Sequence, residues 1–525
     1  MQDRLTRRKL FLRAAQVAAA AGPVFQAAGQ NANGRFQPTW ESLGLYRTPD
    51  WFRDAKFGIF MHWGIDSVPA ANGWYGNRMY LPEGTISGNV YQHHLKHYGH
   101  PSVFGYKDLI PLWKAEKWDP DALVGLYKQI GARYIVPVAV HHDGFDNYDS
   151  THQPWNSVNM GPKQDIIGKW KTAAEKQGLR FGCSSHSSYN WTYLEPSRHS
   201  DKSGPLKGVP YDGALTREDG KGKWWEGYDP RQLYSRPHAD GARPDEEFIR
   251  NYFDRTCELI DKYRPDLLYF DGGLSFGDNG LKLAAHFYNS NTQWHGGELE
   301  AVLNIKSMGV PSAATLDIER GQSDRILPYP WQAETSIHPG WFYLERRYLD
   351  EYLEEQPLSA KTLIHKLIDV VSKNGNFLLN VALRADGTLP EDQEEILREI
   401  GDWLKVNGEA IYGSRPWDTY GEGPTVVQYG GMKEPRRPFT PQDTRFTTKG
   451  NVLYAIVTGW GWPDDELVIK SLNSTKRLPF EKISTISVLG GGQLLKWSRD
   501  DTALRIQAPP QRPCEHAAVM KIAGI

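Results

Sequence analysis

Six side chains able to give, take or hold protons fall at the ends of apolar, strand-length runs. Asp271 closes Pro265-Asp266-Leu267-Leu268-Tyr269-Phe270 and is followed by Gly272-Gly273. Glu319 closes Ala314-Thr315-Leu316-Asp317-Ile318. His62 ends the run that starts at Lys56, His141 and His142 follow Tyr134–Val140, and His186 ends the run from Leu179. A carboxylate beside a buried strand is costly unless it is partnered or used. Alone, Asp271 reads equally well as the cap of the next turn. Two carboxyls on different strand ends, however, suit glycoside hydrolysis: one must be ionised, and the other must protonate a leaving oxygen. The histidines then serve as hydroxyl partners and Trp74 as a stacking wall. The same residue types can bind zinc or iron. Yet no His-x-His pair occupies one strand face, and in a regular strand His141 and His142 point to opposite sides. No metal and no other cofactor is expected.

The elements that would carry these residues alternate between strand and helix. Phe248, Tyr252, Thr256, Leu259 and Tyr263 recur at helical spacing just before the Asp271 strand. Asp119-Pro120 reads as an N-cap and first-turn proline, and Gly131 as the stop. Pro137 sits awkwardly inside its strand because it removes a ladder donor. Further helices are expected near 165–177 and 359–371, and further strands at 301–305 and 376–381. Repeated units with polar strand ends predict an α/β fold, an irregular (β/α)8-type barrel over residues 38–417, with its chemistry at the C-terminal strand ends. The aperiodic stretch 189–245 reads as a rim loop. After Trp417 the pattern turns to short strands at 426–429, 452–457, 467–469, 483–489, 493–497, 504–506 and 517–522. These predict a β-sandwich over 418–525 that buttresses the barrel.

Composition narrows the partners. Lys+Arg 61 against Asp+Glu 63 leaves no basic surplus for nucleic acid or an anionic membrane. The three cysteines form neither a disulfide framework nor a metal knuckle. Thr6-Arg7-Arg8-Lys9-Leu10-Phe11-Leu12 precedes a short Ala-rich stretch. Residues 1–30 therefore resemble a twin-arginine export signal, which implies a periplasmic or extracellular destination.

Several motifs together resemble the retaining α-L-fucosidases of glycoside hydrolase family 29. They are Lys56-Phe57-Gly58-Ile59-Phe60-Met61-His62-Trp63-Gly64 with Ser67-Val68-Pro69-Ala70 and Trp74-Tyr75, His141-His142-Asp143-Gly144-Phe145, Asn156-Ser157-Val158 with Gly161-Pro162-Lys163-Gln164-Asp165, and Asn374-Gly375-Asn376-Phe377-Leu378-Leu379-Asn380. The resemblance implies an exo-acting enzyme that releases terminal α-L-fucose from oligosaccharides or polysaccharides. It places Asp271 at the nucleophile position and His62, His141, His142 and Trp74 at sugar-binding positions. Glu319 is the choice for acid/base, with Glu298, Glu300 and Glu334 as rivals; Glu334 also reads as a structural residue beside Trp331. His186 is added to the sugar site, and Trp331 or Phe270 is expected to wall the deoxy C6 methyl. The chain departs from the family pattern at Gly73, where a Glu is usual before the tryptophan. It departs again at Val140, at Cys183-Ser184-Ser185 and at Asn304-Ile305-Lys306. These departures bear on the exact sugar and aglycone. A glycosidase for α-L-galactosides, a non-catalytic carbohydrate-binding barrel and a metal-dependent hydrolase are the competing readings.

Overall fold

The computed structural model describes residues 34–306, 311–346, 348 and 357–524; the expected export signal at 1–30 lies outside them. Eight parallel strands close into a barrel in sequence order: β1 (Phe57–Met61), β2 (Tyr134–Val140), β3 (Arg180–Ser185), β4 (Leu267–Phe270), β5 (Val302–Ile305), β6 (Thr315–Glu319), β7 (Trp331–Ser336) and β8 (Gly375–Asn380). Phe57 pairs with Phe377, which joins β8 to β1 and removes both edges. The strand β7 was not expected as a strand. Its polar Gln332, Glu334, Thr335 and Ser336 hide the apolar run that marks the other seven.

Local chemistry fixes the helix starts. Asp119 accepts from the Ala122 amide at 3.0 Å, Asp165 from Gly168 at 2.9 Å and Asp245 from Phe248 at 2.8 Å. Gly178 ends the helix Ile166–Gln177 at φ +69°, a conformation that costs glycine little. Pro137 stays in register opposite Met61. Past Val138 the β2–β3 register slips, and the Ala139 carbonyl leaves the ladder to accept from the Asn147 amide. This bulge changes the direction of the strand end.

Inside the barrel, Phe60, Val136, Val138, Leu267, Val302 and Leu378 pack together with the rings of Tyr134 and Tyr269. The helix Ala360–Ser372 is buried nearly all round because the C-terminal domain covers its outer face. There Asp369 takes Arg445 Nε at 2.7 Å and Lys373 Nζ at 2.6 Å, an ion cluster sealed from solvent.

The C-terminal domain is a two-sheet antiparallel sandwich. One sheet runs in the order β13 (Ile483–Val488), β16 (Ala518–Gly524), β11 (Val452–Val457), β10 (Thr444–Lys449), β9 (Arg415–Glu422). The other runs β12 (Glu466–Ile469), β15 (Leu504–Gln507), β14 (Trp497–Arg499). Phe446, Leu453 and Met520 meet Leu467, Ile469 and Ile506 in a shared core. Residues 426–429, expected as a strand, form a loop that bridges back to Gln322 of the barrel. Among the described residues no helix is long and apolar enough to cross a membrane.

Candidate active site

A cavity of ≈ 580 Å³ opens at the C-terminal end of the barrel. His62, Trp74, His141, His142, His186, Asp271 and Glu319 all line it. The period of two along each strand explains the selection. Phe60 and His62, Tyr269 and Asp271, and Asp317 and Glu319 share the inward faces of their strand ends. The β2 bulge turns both His141 and His142 toward the cavity, against the expectation for a regular strand.

Two expected residues are elsewhere. Trp331 is fully buried among the helices, and its indole N–H donates to the Lys373 carbonyl at 2.8 Å. Gln332 and Glu334 occupy the inward face of β7, so Trp331 must point outward. Phe270 is likewise buried in the outer core, one residue out of phase with Tyr269 and Asp271. The apolar faces of the cavity come instead from Phe60, Trp341 and Met432. Glu300 pairs with Arg180 at the start of β3, on the opposite rim of the barrel, and Glu298 precedes it on that side. Neither rival reaches the cavity.

Asp271 accepts from three sides. His142 Nε2 and His186 Nδ1 lie 3.2 and 3.3 Å from Oδ2, and Lys306 Nζ contacts Oδ1. Burial opposes the charge of Asp271, but these contacts outweigh it and hold the carboxyl far below the usual carboxylate range. His62 donates Nδ1–H to Asn380 Oδ1 at 2.8 Å, which leaves Nε2 free for a ligand. The Ser184 hydroxyl lies 3.1 Å from His186 Nε2, so His186 keeps its proton on the side of Asp271. Burial drives the proton affinities of His62, His141 and His186 below the ordinary histidine value. At neutral pH these three are uncharged. Gly272, at φ +123°, lets the chain turn immediately after Asp271; a side chain there would also meet the Tyr189 hydroxyl at 3.1 Å.

In the sequence Lys306 stands out only as a departure from the family pattern. It follows the apolar β5 as Asp271 follows β4, and that placement was its signal. Its ammonium lies 2.7 Å from Glu319 Oε2 and 3.2 Å from Glu334 Oε1, in addition to Asp271. One ammonium touching both Asp271 and Glu319 keeps their nearest oxygens within two hydrogen-bond lengths, about 5–6 Å. Glu334 is buried on the cavity floor, where the Tyr269 hydroxyl donates to it at 2.7 Å.

Glu319 is held from outside the barrel. Its carbonyl accepts from the Met432 amide at 2.8 Å, and the Arg320 carbonyl accepts from Lys433 and Glu434 amides at 2.9 Å. Arg320 adopts φ +41°, a left-handed conformation uncommon for a residue with a side chain. Its guanidinium covers the Trp341 ring at 4.7 Å and donates to Pro339 O at 2.6 Å. Glu434 anchors the segment through Lys366 and accepts from Thr335 at 2.6 Å.

Two groups, His62/His141/His186 and His142/His186/Asp271, each bring three donor atoms within 4.8 Å of one another. Lys306 already supplies positive charge to Asp271, so a cation in the second group would share that carboxylate with an ammonium.

Residues 24–409 match the α-L-fucosidase family model, and residues 437–523 match that of the α-L-fucosidase C-terminal domain. The tissue α-L-fucosidase of Homo sapiens is 28% identical over 517 residues, covering 94% of this chain and 92% of that protein. The plasma α-L-fucosidase of Homo sapiens is also 28% identical, with 94% and 93% covered. The crystal structure of Thermotoga maritima α-fucosidase in complex with fucose aligns with a TM-score of 0.70 at 28% identity, over 93% of this chain and all of that one. With both matched segments, the closed barrel and the appended sandwich, this chain belongs to the α-L-fucosidase family of glycoside hydrolases.

Proposed function

We propose that this α-L-fucosidase removes single terminal α-L-fucosyl residues from oligosaccharides or polysaccharides by double displacement, with net retention. One observation carries the reading: Asp271 and Glu319 meet the same ammonium in the cavity at the C-terminal end of the barrel. Retaining glycosidases hold their carboxyl pair about 5–5.5 Å apart, which leaves no room for a water between base and anomeric carbon. The separation that Lys306 permits is in keeping with that distance. Asp271, strongly ionised, attacks the anomeric carbon as the bond to the leaving oxygen breaks. Glu319 gives that oxygen a proton. Water then enters, Glu319 takes its proton, and the oxygen displaces Asp271 from the sugar.

The remaining side chains fit recognition of one sugar ring. The free Nε2 of His62, with His141 and His142, faces the cavity where hydroxyls would lie. Trp74, at 44% exposure, stands at the mouth with its ring 5.4 Å from that of His142. Phe60, Trp341 and Met432 offer apolar surface for the C6 methyl. Comparing aryl α-L-fucoside with α-L-galactoside turnover reads that preference directly. The paired arginines ahead of the Ala-rich stretch support export, which fractionation of expressing cells would check.

The test of the assigned chemistry is Asp271→Gly. Turnover of an aryl α-L-fucoside should fall by about 10³-fold or more, with partial return when azide is supplied as a surrogate nucleophile. Turnover at the wild-type rate would overturn the assignment.

A further inference from the structure

Glu334 touches the same ammonium as the two reacting carboxyls, yet the double displacement gives it no task. It is not a remote residue. Glu319 and Glu334 are register partners on adjacent strands, and Lys306 Nζ lies between their side chains at 2.7 and 3.2 Å. The groups facing Glu334 come from three neighbours: Tyr269 and Asp271 from the β4 side, Lys306 from the end of β5, and Asp317 and Glu319 from β6. On the β8 side its register partner is Leu378, which carries no charge.

One ammonium cannot cheaply balance three crowded carboxylates, one of them fully buried. Asp271 is the one held ionised, by His142, His186 and Lys306. Burial pushes the Glu334 carboxyl up to about 7; Lys306 opposes this and Glu319 adds to it. A proton therefore has two adjoining sites, Glu319 and Glu334, whose side chains meet on the one ammonium. The first half-reaction needs that proton on Glu319, while an ammonium 2.7 Å away favours the ionised form. When the proton lies on Glu319, a negative charge on Glu334 answers both demands. It draws the ammonium toward the floor, and it repels a second negative charge on Glu319. Once Asp271 is esterified and neutral, Lys306 loses that partner and can turn to an ionised Glu319.

We propose that Glu334 is a positioning residue: with Lys306 it sets which of the two neighbouring glutamates carries the proton, so that Glu319 is protonated for the first step and ionised for the second. Over the full cycle Glu334 neither gains nor loses a proton. Glu319 gives one to the leaving oxygen and regains one from water. The inference rests on the double-displacement reading above.

The experiment is the pH dependence of kcat/KM for wild type, Glu334→Gln and Lys306→Met, with thermal melts run beside it. The basic limb reports loss of the pair's last proton. In Glu334→Gln the negative neighbour is gone and Lys306 acts on Glu319 undivided, so the basic limb should move down by about one pH unit or more. In Lys306→Met the basic limb should move up, because the two glutamates lose their cation. A purely structural role for Glu334 would lower the rate and leave the limbs in place. An unmoved basic limb in folded Glu334→Gln overturns the proposal. Should that variant melt below the assay temperature, an unmoved basic limb in Lys306→Met does so instead. Wild-type turnover by Asp271→Gly would sink the double-displacement reading itself. Unmoved limbs beside an inactive Asp271→Gly would sink only the role of Glu334.

Discussion

The two walls of the cavity are built on different plans. The wall from β1 to β3 is a set of histidines, each positioned from within the barrel: His62 by Asn380, His186 by Ser184, and His141 and His142 by the bulge between them and Val138. These groups are buried, and His62, His141 and His186 are neutral. The wall from β4 to β7 is charged, and much of what holds it lies elsewhere. Lys306 balances three carboxyls, and the chain at Glu319 is fixed by residues 432–434, far along the sequence beyond the last barrel helix. The contrast separates two tasks. Binding a neutral sugar needs directed hydrogen bonds that are always present. Moving a proton needs charges that redistribute between steps, and such a site must be braced so that only the charges move.

The largest effect that would sharpen this contrast belongs to the charged wall. Glu319→Ala should lower kcat by about 10³-fold on fucosides with poor leaving groups and far less on an activated aryl fucoside. Equal losses on both would move the acid role to another residue.

The bracing is tested next. Glu434→Ala leaves the buried Lys366 ammonium without its partner, so denaturant unfolding should show a loss of roughly 3–5 kcal/mol. Turnover should fall more than binding of fucose, because the released segment ends at Glu319 and not at the histidines.

The histidine wall has its own signature in pH. His62, His141 and His186 bind protons less readily folded than unfolded. Below the unfolded value of about 6.5 the unfolded chain takes up protons that the folded one refuses, so stability falls as pH drops through that point, by up to about 1.4 kcal/mol per pH unit for each group. Glu334 acts with the opposite sign. Its folded value is raised to about 7, so between its unfolded value and that point the folded state holds the extra proton and stability falls as pH rises. Unfolding midpoints of His141→Gln and Glu334→Gln across pH 5 to 8 should therefore diverge from wild type in opposite directions.

The smallest effect concerns Trp331. Trp331→Phe removes one buried indole hydrogen bond to Lys373 and should cost about 1 kcal/mol of stability, with KM unchanged. A several-fold rise in KM would return Trp331 to the sugar site.

What the sequence disclosed follows the same division. Strand ends with a polar residue after an apolar run were legible, and they gave seven of the strands, all four histidines and both carboxyls. The strand β7 was not legible, because its inward face is polar where it meets Lys306 and Tyr269. Without the strand there was no phase, and without the phase Trp331 could not be told from an inward residue. The bulge in β2 depends on the Asn147 amide, a contact that no spacing rule reveals. The clamp on Glu319 comes from residues 432–434, just beyond the run 426–429 that read as a strand of the second domain. Val426 and Val427 imitate a strand, but the chain there is a loop, and the amides of 432–434 donate to the Glu319 and Arg320 carbonyls.

The central claim, that Asp271 and Glu319 work as a close pair on one glycosidic bond, is tested most directly by the anomer first released. Proton NMR of the opening turnovers of an aryl α-L-fucoside should show α-L-fucose appearing first and the β anomer only as mutarotation proceeds. Initial accumulation of β-L-fucose would mean that water, not Asp271, attacks the sugar, and would contradict the account.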